Sequence, residues 1–326
     1  MNAAGASAPS SDLGPTRSSD RIRIGFLGPA GTFTEQALHR EADLSAGELV
    51  PFRSMADVLF AVHEGDLDLG VVPIENAIEG TVNATIDTLA FDVDLLIQRE
   101  LVERVQLNLV VPPGASIAGV KRIVSIPVAS AQCRTWLREH LPGVELIAAN
   151  STAEAAETAA AAGDPSIGAI ANARAAEVYG LDMPATDIED HPENKTRFVV
   201  VSRGGIPAPT GHDKSSIVVY QRADRPGSLL AILQEFAARS INLTLLLSRP
   251  TKTSLGDYCF LLELDGHIGD EVVADSLRTL KATQADVKFL GSYPAAGAHG
   301  PERRAEVEAA FHEADGWLAH LRDQLT

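Results

Sequence analysis

The stretch GGIPAPTG, residues 204–211, divides this chain into two parts with different hydrophobic patterns. Five of its eight residues are glycine or proline, which interrupt both helices and strands. The stretch therefore predicts a linker over residues 205–213. Residues 21–204 and residues 214–295 are then expected to fold as separate units, one on each side of it.

In the first unit, strands and helices alternate along the chain. Apolar runs predict strands at residues 21–27, 69–73, 95–111, 122–125 and 167–171. Helices are predicted over residues 32–40, 54–64, 81–90, 129–139, 152–162 and 173–179. Strands interleaved with helices of this length are typical of an α/β fold with parallel sheets.

The second unit has the order βαββαβ. Strands are predicted at residues 215–222, 242–250, 257–264 and 287–293, and helices at 228–240 and 270–282. This order is typical of a ferredoxin-like sandwich, in which both helices cover one face of the sheet. Its exposed sheet edges can pair with a second copy, so we expect a homodimer or homotetramer.

The two ends of the chain differ from these units. Residues 1–20 are rich in Ala, Ser, Gly and Pro and lack the apolar segment of a signal peptide, so we expect a disordered tail. Residues 296–326 are charged and amphipathic, which predicts a helical C-terminal extension.

Composition excludes several classes of partner. The net charge of −17 argues against nucleic acid, and no apolar run reaches the ~20 residues that span a bilayer. Cys133 and Cys259 lie in apolar segments, which favours reduced, buried thiols and a cytoplasmic location. Metal-ligand spacing and a phosphate-loop pattern are absent, so we expect neither a metal nor a cofactor.

Polar residues follow several of the predicted strands. The loop GPAGTFT, residues 28–34, joins a strand to a helix, where free backbone amides can bind an anion, although Thr32 there can equally cap the helix. Glu75 and Asn76 follow a buried strand, at the end where open α/β sheets bind ligands. Ser125 ends another strand and Gln132 lies in the next helix. For each of these residues, a turn or capping role remains open.

The stretch NKTRF, residues 194–198, runs into the apolar residues VVV. It places a hydroxyl, a guanidinium and an aromatic ring together at the mouth of a predicted strand. Such a group suits a small anionic substrate that carries a ring.

Taken in order, these motifs resemble prephenate dehydratases. Residues 28–34 are similar to that family's GPxGTF start, residues 73–76 to its PIEN motif, Ser125 with Gln132 to its SHPQAxxQC segment, and residues 194–198 to its NxTRF signature. Residues 215–293 resemble the phenylalanine-sensing ACT domain of these enzymes. The resemblance implies a periplasmic-binding-protein-like catalytic domain of two α/β lobes, followed by an ACT domain.

The resemblance also implies an activity and roles for named residues. The reaction is conversion of prephenate to phenylpyruvate in L-phenylalanine biosynthesis, with loss of water and carbon dioxide. Thr196 is the catalytic residue, whose hydroxyl donates to the departing oxygen. Arg197 either binds a substrate carboxylate or braces the loop, and Phe198 packs nearby. The remaining substrate-binding positions are Thr32, Glu75, Asn76, Ser125 and Gln132.

The ACT resemblance implies an effector site for phenylalanine. Its residues are Gly227, Ser228, Leu229, Asn242, Leu243 and Arg249.

Several positions depart from the family pattern. Ala77 replaces a serine, Leu107 and Ile126 replace histidines, and Val128 replaces a glutamine, so we expect a less polar cleft. Leu247 replaces a glutamate in the ACT unit, which removes a charge near the effector site.

Other functions remain open from the sequence. They are an arogenate dehydratase, a prephenate decarboxylase that leaves the ring non-aromatic, and a catalytically silent anion-binding sensor. The presence of both Thr196 and the ACT unit disfavours the decarboxylase.

Overall fold

A computed structural model describes residues 21–221, 226–252, 257–283 and 285–296, together with residues 316, 317, 320 and 322–324. The predicted tail at residues 1–20 and most of the predicted C-terminal helix lie outside the described residues. None of the helices within these ranges is long and apolar enough to cross a membrane.

The described elements begin and end as follows. The strands are β1 (Arg23–Leu27), β2 (Glu48–Phe52), β3 (Leu69–Asn76), β4 (Gly80–Thr81), β5 (Leu96–Arg104), β6 (Asn108–Val111), β7 (Arg122–Ser125), β8 (Glu145–Ala148), β9 (Ile167–Ala171), β10 (Asp182–Ala185), β11 (Lys195–Ser202), β12 (Asp213–Gln221), β13 (Leu243–Pro250), β14 (Tyr258–Asp265) and β15 (Ala285–Pro294). The helices are α1 (Phe33–Arg40), α2 (Ala42–Ser45), α3 (Met55–Glu64), α4 (Asn83–Asp87), α5 (Pro127–Gln132), α6 (Arg134–His140), α7 (Thr152–Ala162), α8 (Ala173–Tyr179), α9 (Ser228–Ala237) and α10 (Glu271–Thr283).

These elements form three sheets. Lobe 1 (residues 21–104 and 195–204) has the strand order β2-β1-β3-β11-β5, with β4 paired to β3. Lobe 2 (residues 105–194) has the order β10-β6-β9-β7-β8, and the C-terminal domain (residues 213–296) has the order β13-β14-β12-β15. The α/β fold and the βαββαβ order of the second unit are confirmed.

Both lobe sheets are mixed, whereas the sequence predicted parallel sheets. In each lobe, the strand that arrives from the other lobe runs against its neighbours. It is β6 in lobe 2, antiparallel to β9 and β10, and β11 in lobe 1, antiparallel to β3 and β5. Of the other pairs within a lobe, β1 with β2 and β3, and β7 with β8 and β9, are parallel as predicted, whereas the short strand β4 is antiparallel to β3.

Four strands (β2, β4, β8 and β10), the short helix α2 and two helix breaks were missed. Of the strands, β2, β8 and β10 lie at sheet edges, where β8 is exposed along its whole length and Pro51 interrupts the apolar pattern of β2. The helix predicted over residues 129–139 is two helices that meet at Cys133. The helix predicted over residues 81–90 begins later, as α4, and continues as a π-helical turn, Thr88–Asp92.

The apolar run in β11 is buried on both faces. Phe198 and Val200 pack in a core with Leu38 of α1. Val199 and Val201 face the opposite side, in a core that also contains α3 and residues of the C-terminal domain, including Leu261 and Tyr293. The sheet of the C-terminal domain therefore packs directly on lobe 1, against the face that α1 does not cover.

Gly291 is the point of closest backbone approach in this packing. Its φ of +136° disfavours any side chain, and a Cβ built there would lie 2.5 Å from the carbonyl oxygen of Ile97 in β5. Because the obstacle is backbone, it cannot rotate away.

We expect Gly291→Ala to destabilise the protein by about 1–3 kcal/mol, the usual cost of a residue held in a sparsely populated conformation. Thermal unfolding should show a lower melting temperature, by about 1–2 °C per kcal/mol for a chain of this size. Gly204→Ala is the control, because a Cβ at Gly204 would meet nothing within 4 Å. Equal melting temperatures for the two variants would contradict this reading of the interface.

Candidate active site

Thr196 lies near the start of β11, where the chain enters lobe 1 from lobe 2. It pairs with Asn76 on β3 and with Glu103 on β5. The Nδ2 group of Asn76 donates a hydrogen bond of 2.9 Å to Oγ1 of Thr196. The threonine oxygen therefore accepts a hydrogen bond from the protein while its own proton remains available to a third group.

The amide of Asn76 is held in this orientation by its other contacts. Its Oδ1 accepts hydrogen bonds of 3.0 Å from the backbone N–H groups of Ile78 and Glu79. Its Nδ2 also lies 3.3 Å from the carbonyl oxygen of Lys195. Because the oxygen side is fixed by two donors, the nitrogen side must face Thr196.

Gln132 connects lobe 2 to the same region. It is the last residue of α5, and its Oε1 accepts a hydrogen bond of 3.2 Å from Nδ2 of Asn194, two residues before Thr196. Its Nε2 lies 3.5 Å from Oε1 of Glu79. Asn194 is 1% exposed, and its Oδ1 is buried with no hydrogen-bond partner among the described residues. The structure therefore brings Asn76, Gln132 and Thr196 together at the junction of the lobes.

The hydroxyls of Thr32 and Ser125 are engaged locally. Thr32 caps α1: its Oγ1 accepts from the amide of Glu35 and donates to the carbonyl oxygen of Leu27 at 2.9 Å. Ser125 is buried at the end of β7, and its Oγ donates to the carbonyl oxygen of Ile126 at 3.2 Å. Their contact with substrate stays a prediction.

The loop at residues 28–31 joins the lobes, and the amides of Gly28 and Gly31 already have partners within the protein. The N–H group of Gly31 donates to the carboxylate of Glu35, which also binds Arg174 of lobe 2 at 2.8 Å. The Tyr179 hydroxyl donates to the carbonyl oxygen of Ala30 at 3.0 Å. The protein's own carboxylate thus occupies the amide of Gly31 that could have bound an anion.

Arg197 points to the opposite face of the sheet from Thr196, as successive residues in a strand do. Its guanidinium lies 3.1 Å from Glu75, 3.0 Å from Glu100 and 2.8 Å from Glu263 of the C-terminal domain. Burial alone would lower the pKa of Arg197, but Glu263 and Glu100 raise it above its usual range. Of its two predicted roles, the geometry favours the brace over the substrate ligand. Glu75 is drawn into the same cluster.

Phe198 is a core residue. It is 2% exposed and packs with Leu38 under α1. This position agrees with packing near the site and leaves no ring surface for substrate.

Sequence reasoning missed the buried carboxyl of Glu103, directly across the strand pair from Thr196. It accepts a hydrogen bond of 2.5 Å from Gln36 and lies 3.1 Å from Arg40. Burial raises its pKa, while Gln36 and Arg40 oppose the rise. No local pattern could have identified it, because its importance comes from the pairing of β5 with β11.

The positions that depart from the family pattern have separate surroundings. Leu107 is 1% exposed in the core of lobe 2, and Ile126 packs against that core. Val128 and Ala77 are exposed. The sequence predicted that all of these replacements make the cleft less polar. At Leu107 the replacement instead enlarges the apolar core of lobe 2.

The predicted effector residues belong to α9 and β13 or directly precede these two elements. Gly227 precedes α9 with a φ of +88°, and Nδ2 of Asn242 donates to Asp265 at 2.9 Å. Ser228 and Leu229 begin α9, and Leu243 pairs with Leu264.

Arg249 spans the interface to lobe 1. It binds both carboxylate oxygens of Asp87, at 2.8 and 2.9 Å, and Lys252 lies 3.1 Å from the same carboxylate. Burial alone would raise the pKa of Asp87, but Arg249 and Lys252 hold it below its usual value.

Comparison with known proteins agrees with this arrangement. The prephenate dehydratase family model matches residues 24–205, and the ACT domain model matches residues 215–282. A prephenate dehydratase from Mycolicibacterium gilvum is 42% identical over 312 residues, which is 92% of this chain and 98% of the relative.

Two solved structures are similar over most of the chain. One is a prephenate dehydratase from Arthrobacter aurescens in complex with L-Phe, with a TM-score of 0.83 and 38% identity over 93% of this chain and 100% of the other. The other is GqqA, described as a novel type of quorum-quenching acylase, with a TM-score of 0.75 and 29% identity over 84% of this chain and 98% of the other.

The lobes, the ordered motifs and the junction around Thr196 coincide with a family match over more than half of the chain and a 42% identical relative over nearly all of it. The chain therefore belongs to the prephenate dehydratase family.

Proposed function

We propose that this protein converts prephenate to phenylpyruvate, with loss of water and carbon dioxide. The observation that carries the proposal is the hydrogen bond from Asn76 to Thr196. Because Asn76 fills an acceptor site on the threonine oxygen, the hydroxyl proton can be directed to the departing oxygen of the substrate.

The chemistry needs this proton. The ring C–O bond breaks and its electron pair leaves with the oxygen, while the electrons of the breaking C–C bond to carbon dioxide restore the aromatic ring. The departing hydroxide takes a proton to become water. A threonine hydroxyl is a weak acid, so proton transfer must accompany C–O cleavage. The amide of Asn76 then stabilises the negative charge that develops on Oγ1, and a proton from solvent restores the hydroxyl.

The substrate-binding part of the proposal includes Gln132, Ser125 and Thr32 at the lobe junction, with Glu75 and Arg197 supporting β3 and β11 from behind. Closure of the lobes would exclude water from the site. The two buried cysteines, Cys133 and Cys259, are unpaired, which suits a reducing compartment such as the cytoplasm.

The proposal includes feedback control by phenylalanine through the C-terminal domain. The similar Arthrobacter aurescens structure contains L-Phe. We also propose that the protein forms a homodimer or homotetramer. The strand β13 lies at a sheet edge and could pair with a second copy, and Leu246 on it is 45% exposed.

An assay of the purified chain with prephenate tests the activity. Phenylpyruvate formation supports the proposal. Carbon dioxide release without an aromatic product would indicate the decarboxylase. Turnover of arogenate in preference to prephenate would indicate an arogenate dehydratase. Because a similar structure is described as an acylase, cleavage of an N-acyl substrate is measured beside them. No turnover of any substrate would favour a silent sensor.

Thr196→Ala should lower kcat by about 10²–10⁴-fold, since it removes the proton donor. Thr196→Ser is the matched control, because it keeps a hydroxyl on the same strand, and it should retain most of the activity. Circular dichroism checks that both variants fold. A fully active Thr196→Ala variant would exclude this residue as the proton donor.

Asn76→Asp should be nearly as damaging as loss of the hydroxyl, although its side chain has the same size. A carboxylate at this position accepts the threonine proton instead of leaving it for the substrate, and it repels charge developing on Oγ1. We expect kcat to fall by at least about 10²-fold, as for loss of an oxyanion-hole donor. A kcat within threefold of the unmodified protein would show that the Asn76–Thr196 bond has no part in the chemistry.

Asp87→Asn should weaken inhibition by phenylalanine. The Asp87–Arg249 ion pair connects the predicted effector region to α4, and Thr85 of α4 donates a hydrogen bond of 2.7 Å to the carbonyl oxygen of Pro73 in β3. A coupling of about 1 kcal/mol predicts that roughly fivefold more phenylalanine is needed for half-inhibition. Inhibition curves with and without the substitution measure it, and identical curves would remove Asp87 from the coupling.

A further inference from the structure

Arg197 joins the strand that carries Thr196 to the C-terminal domain. Its Nη1 lies 2.8 Å from both carboxylate oxygens of Glu263 on β14. Glu263 belongs to a different domain and lies 66 residues away in sequence. A residue of the C-terminal domain thus contacts the immediate neighbour of the predicted catalytic threonine.

The contact is shielded from water. The side chain of Glu263 is 1% exposed and that of Arg197 is 11% exposed. Burial makes such a pair rigid, because neither charge can leave its partner for solvent without a large loss of electrostatic energy. The ion pair therefore fixes the position of Arg197 more strongly than a surface contact would.

Two of the carboxylates around Arg197, those of Glu100 and Glu263, differ in their other ion-pair partners. Glu100 has its own cation, since Nζ of Lys214 lies 3.1 and 3.2 Å from its carboxylate oxygens, and it also accepts a hydrogen bond of 2.7 Å from the amide of Ala296. Burial alone would raise the pKa of Glu100, but Lys214 and Arg197 hold it below its usual value. Glu263, by contrast, has Arg197 as its ion-pair partner at salt-bridge distance among the described residues.

Arg197 also fixes the position of the neighbouring strand. Its Nη2 lies 3.1 Å from Glu75, with which it is paired across β11 and β3. The next pair along the same two strands is Thr196 with Asn76. A guanidinium held from behind the sheet therefore joins the two residues that adjoin the proton-donating pair, one on each strand.

We propose that Glu263 is a positioning residue for the reaction: through Arg197 it holds Thr196 and Asn76 in place, so that the C-terminal domain forms part of the active-site support. The inference rests on the proposed function. It goes beyond effector sensing, because it makes the C-terminal domain necessary for full turnover in the absence of any effector.

The test compares Glu263→Gln with Glu271→Gln, each assayed without phenylalanine. Glu271 is an exposed glutamate of α10 in the same domain, 3.7 Å from Arg278, and its change should leave kcat unaltered. Glu263→Gln keeps the size of the side chain and removes its charge. We expect kcat to fall about tenfold with KM changed less than twofold, because a misplaced donor impairs the chemical step more than binding. An unchanged kcat would overturn the proposal.

A second comparison asks whether the effect passes through Thr196. In a Thr196→Ala background, Glu263→Gln should lower the remaining rate less than twofold, because the group that Glu263 positions is already gone. An equal tenfold loss in both backgrounds would show a general structural effect and would overturn the proposal. If Glu263→Gln does not fold, Arg197→Lys replaces it, since a lysine keeps the charge but cannot reach three carboxylates at once. Full activity in that variant would also overturn the proposal.

Amide hydrogen exchange separates this inference from the proposed activity. Exchange in a peptide covering residues 195–198 should be faster in Glu263→Gln than in the unmodified chain, and unchanged in Glu271→Gln. Faster exchange in a protein without prephenate turnover would overturn the function but keep the positional link. Unchanged exchange in an active protein would overturn the link alone.

Discussion

A single strand, β11, determines how the rest of the molecule is arranged. Its side chains alternate, so Thr196, Phe198 and Val200 face α1 while Arg197, Val199 and Val201 face the C-terminal domain. One face therefore carries the predicted proton donor above a packed helix. The other carries a buried cation that needs three carboxylates from three different strands. Because the two faces share one backbone, the reaction site and the domain interface cannot be changed independently.

The sequence was sufficient for the fold class and for the identity of the motifs. Alternating strands and helices predicted the α/β lobes, and the βαββαβ order predicted the C-terminal sheet, because each signal is local in sequence. Hydrophobic periodicity could not show that β6 and β11 run antiparallel to their neighbours. That direction depends on which lobe the chain has just left. It could not find β8 either, since all four residues of this strand are exposed and no buried face marks it.

The site was predictable only as far as its motifs extend. Asn76 contacts Thr196, and Gln132 contacts Asn194 two residues before it, although the three are separated in sequence; their roles toward substrate stay predictions. Glu103 and Glu263 were missed because their proximity to Thr196 and Arg197 arises from strand pairing and domain packing, which no short motif records. The same reason accounts for Arg197. The sequence left open whether it binds a substrate carboxylate or braces the loop, and the sheet places it on the opposite face from Thr196.

Leu247 shows how an apparent loss in a motif can be a change in packing. The partly buried residues of β13 include Leu245, Leu247 and Arg249, and the two leucines pack against the core shared with lobe 1. A carboxylate at position 247 would enter that apolar surface and would need a partner there. The nearby guanidinium of Arg249 already binds Asp87 of lobe 1. With leucine at this position, β13 itself meets lobe 1 through apolar contact and the Arg249–Asp87 ion pair, so the substitution alters how this strand packs as well as the charge near the predicted effector site.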